Sequence, residues 1–493
     1  MKQLIEALLR EKNLNKQKVE LLKAKYSRKQ VIDTPLSSDL LTYAKENCSE
    51  EDYERLRKVL MTKPARTLSG VAIVAVMAKP APCPGRCIYC PRGENAPQSY
   101  TGDEPAARRA IANKFDPYEQ VKNRLEQLQN VGHSTEKCEL IIMGGTFPAL
   151  DKKYQSAFVK RCFDAFNGKA SKTLASAHKL NESAKNRVVG LTIETRPDWV
   201  FPEQFLKLGC TRVELGVQSL SDAVLKKICR GHTVEATVNA TRDLKEHGFK
   251  VLYHMMPGLP GSNYLKDVLM FRKLFTDARF KPDMLKIYPT LVIKHTELYE
   301  QWRQGNYRAV DEKYMMKLLK WIFRFCPEWV RIHRVQRDIP AEYIVAGPKQ
   351  SNLRELAERN ISSMEIRHRE VGRAGKIPES EEIFVKKYKA SGGDEYFISA
   401  EAKSRKYILG FCRLRIAVSG KAFIRELHVY GETLPLGSKS AATQHIGWGK
   451  KLLAKAEELA KGRELYVISG VGVRPYYAKL GYAYKDGYMW KAL

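Results

Sequence analysis

The stretch that decides the fold is a cysteine-containing loop that directly follows an apolar, β-branched run. The loop reads Cys83-Pro84-Gly85-Arg86-Cys87-Ile88-Tyr89-Cys90, and the run before it is Val71-Ala72-Ile73-Val74-Ala75-Val76-Met77. Pro84 and Gly85 favour a sharp reversal of the backbone, which brings the three sulfurs to one side of a short loop. An apolar run that ends in such a loop predicts the first strand of a barrel, with a site at its C-terminal end.

Three closely spaced thiolates fit three corners of a [4Fe-4S] cluster, which commonly has four cysteine ligands. The fourth iron is then left to a small molecule, and S-adenosylmethionine, through its amino and carboxylate groups, is the usual one. We therefore expect Cys83, Cys87 and Cys90 to bind the metal and Tyr89 to cover it. The alternatives are a structural zinc site, which requires a fourth Cys or His, and a chance grouping in a chain with ten cysteines.

Length and composition narrow the functional class. A chain of 493 residues, 44% of them hydrophobic, predicts about three folded domains. No apolar run reaches the roughly 18 residues that span a bilayer, and the first residues do not form a secretory segment, so we expect a cytoplasmic protein. Scattered cysteines do not indicate a disulfide framework. The net charge of +30 favours a polyanionic partner, above all nucleic acid.

Apolar runs and helical periodicity alternate after the cysteine loop. The predicted strands are Val71 to Met77, Leu140 to Met143, Val188 to Ile193, Arg212 to Val217, Lys250 to Met255 and Met284 to Tyr288. The predicted helices include Tyr118 to Gln129, Asp222 to Ile228 and Val234 to His247. Strand, polar loop and helix in this order predict an α/β fold, a parallel (β/α) barrel or partial barrel. Gly144 and Gly145 would allow a ligand to approach the backbone closely, or form a plain tight turn.

Four regions follow from these patterns. Residues 1–70 are predicted to be helical, with a basic stretch at residues 10–30 that suits phosphate binding or is simply a solvated helix face. Residues 71–300 form the predicted barrel. Residues 301–392 are rich in charge and interrupted by proline, which favours a linker region. Residues 393–493 predict a small α+β domain, with an antiparallel meander followed by a helix and a further strand.

A second chemical motif lies in this last domain. Gln444-His445-Ile446-Gly447-Trp448-Gly449 precedes an amphipathic helix from Lys450 to Lys461. A glycine-bearing turn at a helix start presents N–H groups and the helix dipole to a pyrophosphate, and Q-x-x-G-x-G is the pattern that acetyltransferases use for coenzyme A. Tyr476, Tyr477 and Tyr482 follow, as core residues or as phenols near the thioester.

Several motifs in one order resemble the family of the Elongator catalytic subunit, which joins a radical SAM domain to a GNAT acetyltransferase domain. Besides the cysteine triplet they are Gln98–Gly102, Asp116–Gln120, Gly144–Pro148, Thr192–Asp198, Glu214–Ser219, Arg334–Pro340, Glu426–Gly431, Gln444–Gly449 and Ser469–Tyr482. The resemblance implies a partial (β/α) radical-SAM barrel with a C-terminal α+β GNAT acetyltransferase domain. It covers nearly the whole chain.

The resemblance implies a tRNA uridine(34) acetyltransferase that forms carboxymethyluridine at carbon 5 of the wobble base. In that chemistry, reductive cleavage of S-adenosylmethionine gives a radical that takes hydrogen from the acetyl methyl of acetyl-CoA, and the carbon radical adds to uracil. Matching motifs give the acetyl-CoA contacts as Lys137, Glu426, Leu427, His428, Val429, Trp448, Gly449, Lys450 and Tyr477. Lys137 and Tyr477 are then the candidate catalytic residues. We expect a tRNA groove between the two domains, with both sites opening onto it; a homodimer and a need for accessory subunits stay open.

One segment departs from the family pattern. Many relatives carry a C-x-C-x-x-C zinc loop before R-E-V-G, and this chain has Arg369-Glu370-Val371-Gly372 but Ser363, Glu365 and His368 at the three cysteine positions. We therefore predict no structural zinc.

Two other functions fit the same motifs. The first is a protein lysine acetyltransferase with a structural iron-sulfur cluster, and the second is a tRNA-binding module without catalysis.

Overall fold

The computed structural model describes residues 1–63, 67, 70–371, 380–430 and 447–493. Four helices come first, a parallel sheet flanked by helices follows, and a second sheet of mixed direction ends the chain. This arrangement confirms the predicted α/β class with a C-terminal sheet domain. None of the described helices is long and apolar enough to cross a membrane.

The N-terminal helices pack around a small core of their own. They are α1 (Lys2–Arg10), α2 (Lys16–Gln30), α3 (Ser37–Asn47) and α4 (Glu50–Leu60). Apolar residues from all four helices, most of them leucines, fill this core. Arg57 on α4 donates to the carbonyl of Gly132 in the next domain at 3.0 Å. The predicted basic stretch is only partly free, because Lys23 is 6% exposed and Lys18 pairs with Glu11 at 2.7 Å. Its exposed cations are Arg10, Lys12, Lys16, Lys25, Arg28 and Lys29.

The first sheet has seven parallel strands within the described residues, in the order β1-β2-β3-β4-β5-β6-β8. They are β1 (Ala72–Met77), β2 (Lys137–Met143), β3 (Arg187–Thr195), β4 (Arg212–Gln218), β5 (Lys250–Met255), β6 (Met284–Ile287) and β8 (Arg331–Val335). The helices of this region are α5 (Pro105–Ala112), α6 (Pro117–Asn130), α7 (Lys152–Asn167), α8 (Leu174–Asn181), α9 (Pro202–Lys207), α10 (Asp222–Lys227), α11 (Val234–Glu246), α12 (Tyr264–Thr276), α13 (Glu297–Arg303) and α14 (Glu312–Phe325). Every strand and helix that the sequence predicted here is present, and the open order is that of a partial (β/α) barrel.

The segment expected to be a linker belongs largely to this barrel. β8 pairs with β6 in parallel, and Met315, Leu318 and Ile322 of α14 lie in the main core. The strand escaped prediction because it is short and carries Arg331, His333 and Arg334 instead of an apolar run. The remaining elements of the segment are β7 (Val292–Ile293), β9 (Ile344–Ala346), α15 (Leu353–Glu358) and α16 (Ile366–Arg369).

The second sheet begins before the predicted boundary at residue 393. Its strands are β10 (Glu381–Ala390), β11 (Gly393–Ala402), β12 (Ile408–Ile416), β13 (Ala422–Val429), β14 (Glu464–Val467), β15 (Ala483–Lys485) and β16 (Tyr488–Ala492), in the order β10-β11-β12-β13-β14-β16-β15. β11, β12 and β13 form the predicted antiparallel meander. Helices α17 (Trp448–Leu459) and α18 (Arg474–Ala478) complete the domain. The outer strand β10 was missed because charged side chains dominate it.

A buried ion network joins this sheet to the N-terminal ends of the barrel strands. Arg425 of β13 donates to both carboxylate oxygens of Asp283, which precedes β6, at 2.6 and 2.7 Å. It also donates to the carbonyl of Phe249 at 2.9 Å and pairs with Glu395 at 2.8 Å. Burial alone would raise the pKa of Asp283, but Arg425 and Lys245 outweigh it and hold that pKa far below its usual value.

Hydrogen bonds occupy the positions where relatives carry the zinc loop. The carboxylate of Glu365, which is 0% exposed, accepts from the backbone N–H of Ile332 at 2.5 Å and from that of His368 at 2.8 Å. It also binds Arg354 at 2.8 Å. Ser363 donates its hydroxyl to the carbonyl of Phe323 at 2.6 Å. The segment is thus fastened to β8 by the carboxylate of Glu365 and to α14 by the hydroxyl of Ser363. Gly372 lies outside the described residues.

We predict that Asp283→Asn lowers the free energy of unfolding by about 3–5 kcal/mol, because it leaves Arg425 and Lys245 buried beside a neutral amide. The folded pKa of Asp283 is depressed, so its contribution is present above the unfolded pKa of about 3.9 and is lost as the pH falls through the folded value. The gap between wild type and variant in urea denaturation should therefore shrink below about pH 4. Asp243→Asn, at an exposed surface pair, is the control and should change little.

Metal analysis of purified protein is predicted to find no stoichiometric zinc, and EDTA should leave the thermal midpoint unchanged. Glu365→Ala should lower that midpoint, since the N–H groups of Ile332 and His368 and the guanidinium of Arg354 would lose their acceptor. Glu355→Ala, on the exposed face of the same segment, serves for comparison. One zinc per chain, or a variant as stable as wild type, would contradict this account.

Candidate active site

The three cysteines lie at the C-terminal ends of the barrel strands, as predicted. They line one cavity of about 160 Å³, here called the cluster pocket. Its other walls come from the last residues of successive strands, including Met143 of β2, Glu194 and Thr195 of β3 and Gln218 of β4. Parallel strands bring their carboxyl ends to one edge, so side chains far apart in sequence meet here.

Each cysteine sulfur has a polar neighbour from the pocket wall. Arg230 Nη1 donates to Cys87 Sγ at 3.4 Å, and Gln98 Nε2 donates to Cys90 Sγ at 3.2 Å. Cys83 Sγ lies 3.6 Å from the hydroxyl of Thr146. Burial raises the pKa of the Cys90 thiol, and hydrogen bonds from Ser99 and Gln98 oppose that rise. Donors of this kind stabilise thiolate, which is the form that binds metal.

The rest of the cluster pocket lining fits a polar ligand bound beside an iron-sulfur cluster. Tyr89 Oη, Arg196 Nη1 and Gln218 Oε1 are buried and have no hydrogen-bond partner in the described structure, and all three residues line the cluster pocket. Buried polar atoms are rarely left in this state. The thiolates and these atoms together match the donor set that a [4Fe-4S] cluster with S-adenosylmethionine requires, so the residues present fit that cofactor pair.

The glycines of the pocket differ in what they do. A side chain at Gly85 would place its Cβ 2.0 Å from Arg196 Nη1, so a larger residue there would displace that guanidinium. Gly145, with φ +73°, lines the pocket, whereas Gly144, with φ +113°, packs against the backbone of Ala78. Of the two predicted glycines, Gly145 therefore faces the ligand space and Gly144 shapes the turn.

A second cavity, of about 570 Å³, lies between the two domains at the opposite ends of the same strands. We call it the interdomain pocket. The first residues of the barrel strands line it, among them Lys137 of β2, Arg212 of β4 and Lys250 of β5. The other wall contains the predicted residues Glu426, Leu427, His428, Val429, Gly449 and Tyr477. The fold thus brings Lys137 to residues almost 300 positions away in sequence, as the family resemblance implied.

The shape of the second sheet opens this pocket. β13 and β14 pair in parallel only over Ala422–Ile424 and Leu465–Val467 within the described residues. Beyond that point the strands separate, and the edge of β13 from Glu426 onward faces the interdomain pocket. Helix α17 begins beside it at Trp448, after Gly447 with φ +83°. A strand edge and a helix N-terminus both present N–H groups to a ligand. Gln444–Ile446 of the predicted turn lie outside the described residues.

The predicted acetyl-CoA residues divide into pocket and supporting positions. Tyr477 is 6% exposed, and its burial raises the pKa of the phenol, so it remains a hydrogen-bond donor at neutral pH. Trp448 packs in the core of the second domain, and Lys450 is exposed to solvent outside the pocket lining. The Glu426 carboxylate, in the lining of the interdomain pocket, pairs with Arg413 at 2.8 Å.

Gly470 is a residue whose role only the structure shows. A Cβ there would lie 2.2 Å from the carbonyl oxygen of Val189 in β3, so the second domain can approach the barrel only with glycine at this position. Arg230 of the cluster pocket was likewise not singled out from the sequence, and Gln98 and Arg196 lay in named motifs without an assigned role. The signal for Gly470 was the motif Ser469–Tyr482; isolated polar residues such as Arg230 gave none.

Among the residues that the structure describes, the two pockets lie at opposite ends of the barrel strands and do not open onto one groove, contrary to expectation. Strands of six or seven residues at about 3.3 Å per residue separate their ends by about 20 Å. The interface between the domains is filled by the Asp283–Arg425 network and by aromatic side chains such as Phe423 and Tyr488, which join the main core.

Comparisons with known proteins agree with this geometry. The Radical SAM superfamily matches residues 82–274, and the Radical SAM C-terminal domain matches residues 282–363. The second match covers β6 and β8, which extends the barrel past residue 300. A tRNA uridine(34) acetyltransferase of Methanocaldococcus infernus is 45% identical, with 100% of this chain and 99% of the relative aligned.

Eukaryotic and solved relatives extend the likeness. Elongator complex protein 3 of Schizosaccharomyces pombe is 40% identical, with 100% of this chain and 97% of the relative aligned. The solved structure of Methanocaldococcus infernus Elp3 with residues 1–46 deleted superposes with a TM-score of 0.77 at 43% identity, over 87% of this chain and 100% of that chain. The three-cysteine loop lies at the carboxyl edge of a partial barrel, and the relatives align over nearly their whole length. This chain therefore belongs to the radical SAM family of tRNA uridine(34) acetyltransferases and Elongator complex protein 3.

Proposed function

We propose that this protein is a tRNA uridine(34) acetyltransferase that uses S-adenosylmethionine and acetyl-CoA to form carboxymethyluridine at the wobble position. The observation that carries the proposal is the pairing of two pockets at opposite ends of one barrel. One holds the three cysteines, and the other brings Lys137 to Glu426–Val429 and Tyr477. Two relatives from Methanocaldococcus that align over the full length of this chain are named tRNA uridine(34) acetyltransferase.

Cys83, Cys87 and Cys90 would hold the [4Fe-4S] cluster, which, with bound S-adenosylmethionine, supplies a radical that abstracts hydrogen. Arg230, Gln98 and Thr146 hold the cysteine sulfurs in place. Tyr89 and the aliphatic residues around it form a buried cluster behind the loop, which keeps water from that side.

Acetyl-CoA would bind in the interdomain pocket. The edge of β13 and the start of α17 offer N–H groups to the pantetheine chain and the pyrophosphate, and Lys137 and Tyr477 face the thioester end. Burial lowers the pKa of Lys137, partly offset by Glu136, so its ammonium lies in a less hydrated site than a surface lysine. A cation in such a site stabilises negative charge on a thioester oxygen as hydrolysis leaves the carboxylate.

The tRNA loop would reach the cluster pocket from the side away from the second domain. Arg196, Arg230, Arg334 and Arg337 line that pocket, and the net charge of the chain is +30. A wobble uridine lies in a single-stranded loop, so an enzyme can reach it without opening a duplex. Acetyl-CoA would therefore approach from the N-terminal ends of the strands, opposite the side that the tRNA loop would reach. A cytoplasmic location, a homodimer and accessory subunits stay predictions or open questions.

The rival function, direct acetylation of a protein lysine, needs a base that can reach the amine. Three carboxylates line the interdomain pocket, and arginines already engage them: Glu139 pairs with Arg212, Glu370 with Arg331 and Glu426 with Arg413. This arrangement favours the radical reaction over direct acetyl transfer.

An anaerobic reaction of cluster-loaded protein with tRNA, S-adenosylmethionine, acetyl-CoA and a reductant is expected to yield carboxymethyluridine and 5′-deoxyadenosine by mass spectrometry. Cys87→Ala, which removes one predicted ligand, should abolish both products. Cys229→Ala, at an exposed cysteine near the same loop, should retain them. Acetyl-lysine formation that survives Cys87→Ala, without modified uridine, would replace the proposal with the protein acetyltransferase.

Lys137→Met is expected to weaken acetyl-CoA binding about tenfold or more, because a hydrogen bond to a charged group contributes about 1.5–3 kcal/mol. Isothermal titration with protein lacking the cluster measures this directly, and Lys169→Ala, at an exposed lysine, is the control. Tyr477→Phe should bind acetyl-CoA but hydrolyse it more slowly. Undiminished hydrolysis by Tyr477→Phe would remove the proposed role of this phenol.

A further inference from the structure

Charged side chains line the inner face of the barrel between the two pockets. On β4, Arg212, Glu214, Gly216 and Gln218 point to the same side, since side chains alternate along a strand. Arg212 lines the interdomain pocket, and Gly216 and Gln218 line the cluster pocket. Glu214, 0% exposed, lies between them and belongs to neither lining. One carboxylate is thus placed midway along the barrel axis.

Glu214 contacts groups from both pockets. Its Oε2 lies 2.8 Å from His254 Nε2 and forms an ion pair with Lys286 Nζ. His254 and Lys286 both line the cluster pocket. Its Oε1 lies 3.2 Å from Arg212 Nη2, on the side of the interdomain pocket. The two oxygens of one side chain therefore face two different sites.

The contacts continue outward on each side. Lys286 Nζ also binds Glu194 of the cluster pocket at 3.1 Å, and Arg212 also pairs with Glu139 of the interdomain pocket. The result is an unbroken ion chain from Glu139 through Arg212, Glu214 and Lys286 to Glu194. Glu194, Glu214 and His254 lie close enough to hold a metal ion, but the ammonium of Lys286 already supplies the positive charge between the two carboxylates.

Such a chain is a costly way to fill a barrel. Branched apolar side chains usually occupy barrel interiors, and a buried ion pair contributes less to stability than well-packed apolar residues of similar volume. Burial alone would raise the pKa of Glu214, but Lys286, His254 and Arg212 outweigh it and lower that pKa, so the carboxylate is ionised at neutral pH. We therefore expect these charged side chains to have a function besides packing the barrel interior.

We propose that Glu214 is a positioning residue shared by both pockets, through which occupation of one pocket changes the affinity of the other. It sets Lys286 and His254 on one side and Arg212 on the other. A zwitterionic ligand in the cluster pocket competes for Lys286 or Glu194, and the carbonyl oxygen of an acyl thioester in the interdomain pocket competes with Glu139 and Glu214 for Arg212. Either ligand shifts the shared carboxylate. The inference rests on the proposed function, because it takes these two ligands to be S-adenosylmethionine and acetyl-CoA.

Coupling between two sites is reciprocal and typically amounts to a factor of about 5–150. Titration calorimetry of cluster-loaded wild-type protein should therefore show a Kd for acetyl-CoA that changes about fivefold or more when S-adenosylmethionine is saturating. The Kd for S-adenosylmethionine should change by the same factor on adding acetyl-CoA. Glu214→Gln keeps the shape of the side chain and removes its charge, so the factor should fall toward one.

Two further variants separate positioning from simple damage to the fold. Asp267→Asn alters a buried carboxylate of the same domain, 1% exposed, that lines neither pocket, and it should keep the coupling of wild type. Glu139→Gln removes the outermost link on the acetyl-CoA side and should reduce the coupling as Glu214→Gln does. It also keeps the inference testable if Glu214→Gln does not fold.

The outcomes distinguish the two proposals. Wild-type protein that binds both ligands without coupling, or Glu214→Gln and Glu139→Gln that retain it, would overturn the shared role of Glu214 while leaving the proposed function intact. Failure of wild-type protein to bind acetyl-CoA at all would overturn both.

Discussion

The second domain is held against the barrel by a buried ion network centred on Asp283, which binds Arg425 through both oxygens. The network lies where β13 crosses the N-terminal ends of the barrel strands, and the same arrangement places Lys137 opposite Glu426–Val429. The interaction costs desolvation of several charges, and its geometry compensates, since Glu395, Lys245 and the carbonyl of Phe249 complete the contacts. Glycine at position 470 allows the backbone of the second domain to lie against the backbone of Val189, where a Cβ would clash.

This docking divides the chemistry between the two ends of one sheet. The carboxyl ends of the strands carry the cysteines and several arginines, and the amino ends carry Lys137 and the interdomain pocket. The two pockets therefore lie on opposite sides of the barrel. Between them the barrel axis is polar where other barrels are apolar, with Glu214 buried between Arg212 and Lys286.

The sequence predicted the strands of the barrel well because apolar, β-branched runs alternate with helical periodicity. It failed at β8 and β10, where charged side chains interrupt the apolar pattern. The cysteine pocket could be foreseen, since its ligands are local. Arg230 could not, because a single polar residue gives no pattern until the fold places it beside a sulfur. Gln98 lay in a named motif, but only the fold shows that it donates to Cys90.

The sequence by itself determined the cluster loop, the barrel class, the glycine turn before α17 and the basic character that points to nucleic acid, because each depends on residues close together or on composition. The tertiary structure decided where the two pockets lie and which residues line them. That depends on contacts between residues more than 100 positions apart, such as Asp283 and Arg425. It also replaced the expected common groove with two opposed pockets and revealed Glu214 between them. Charge pairing across long separations leaves no periodic trace in a sequence, so only the folded chain shows it.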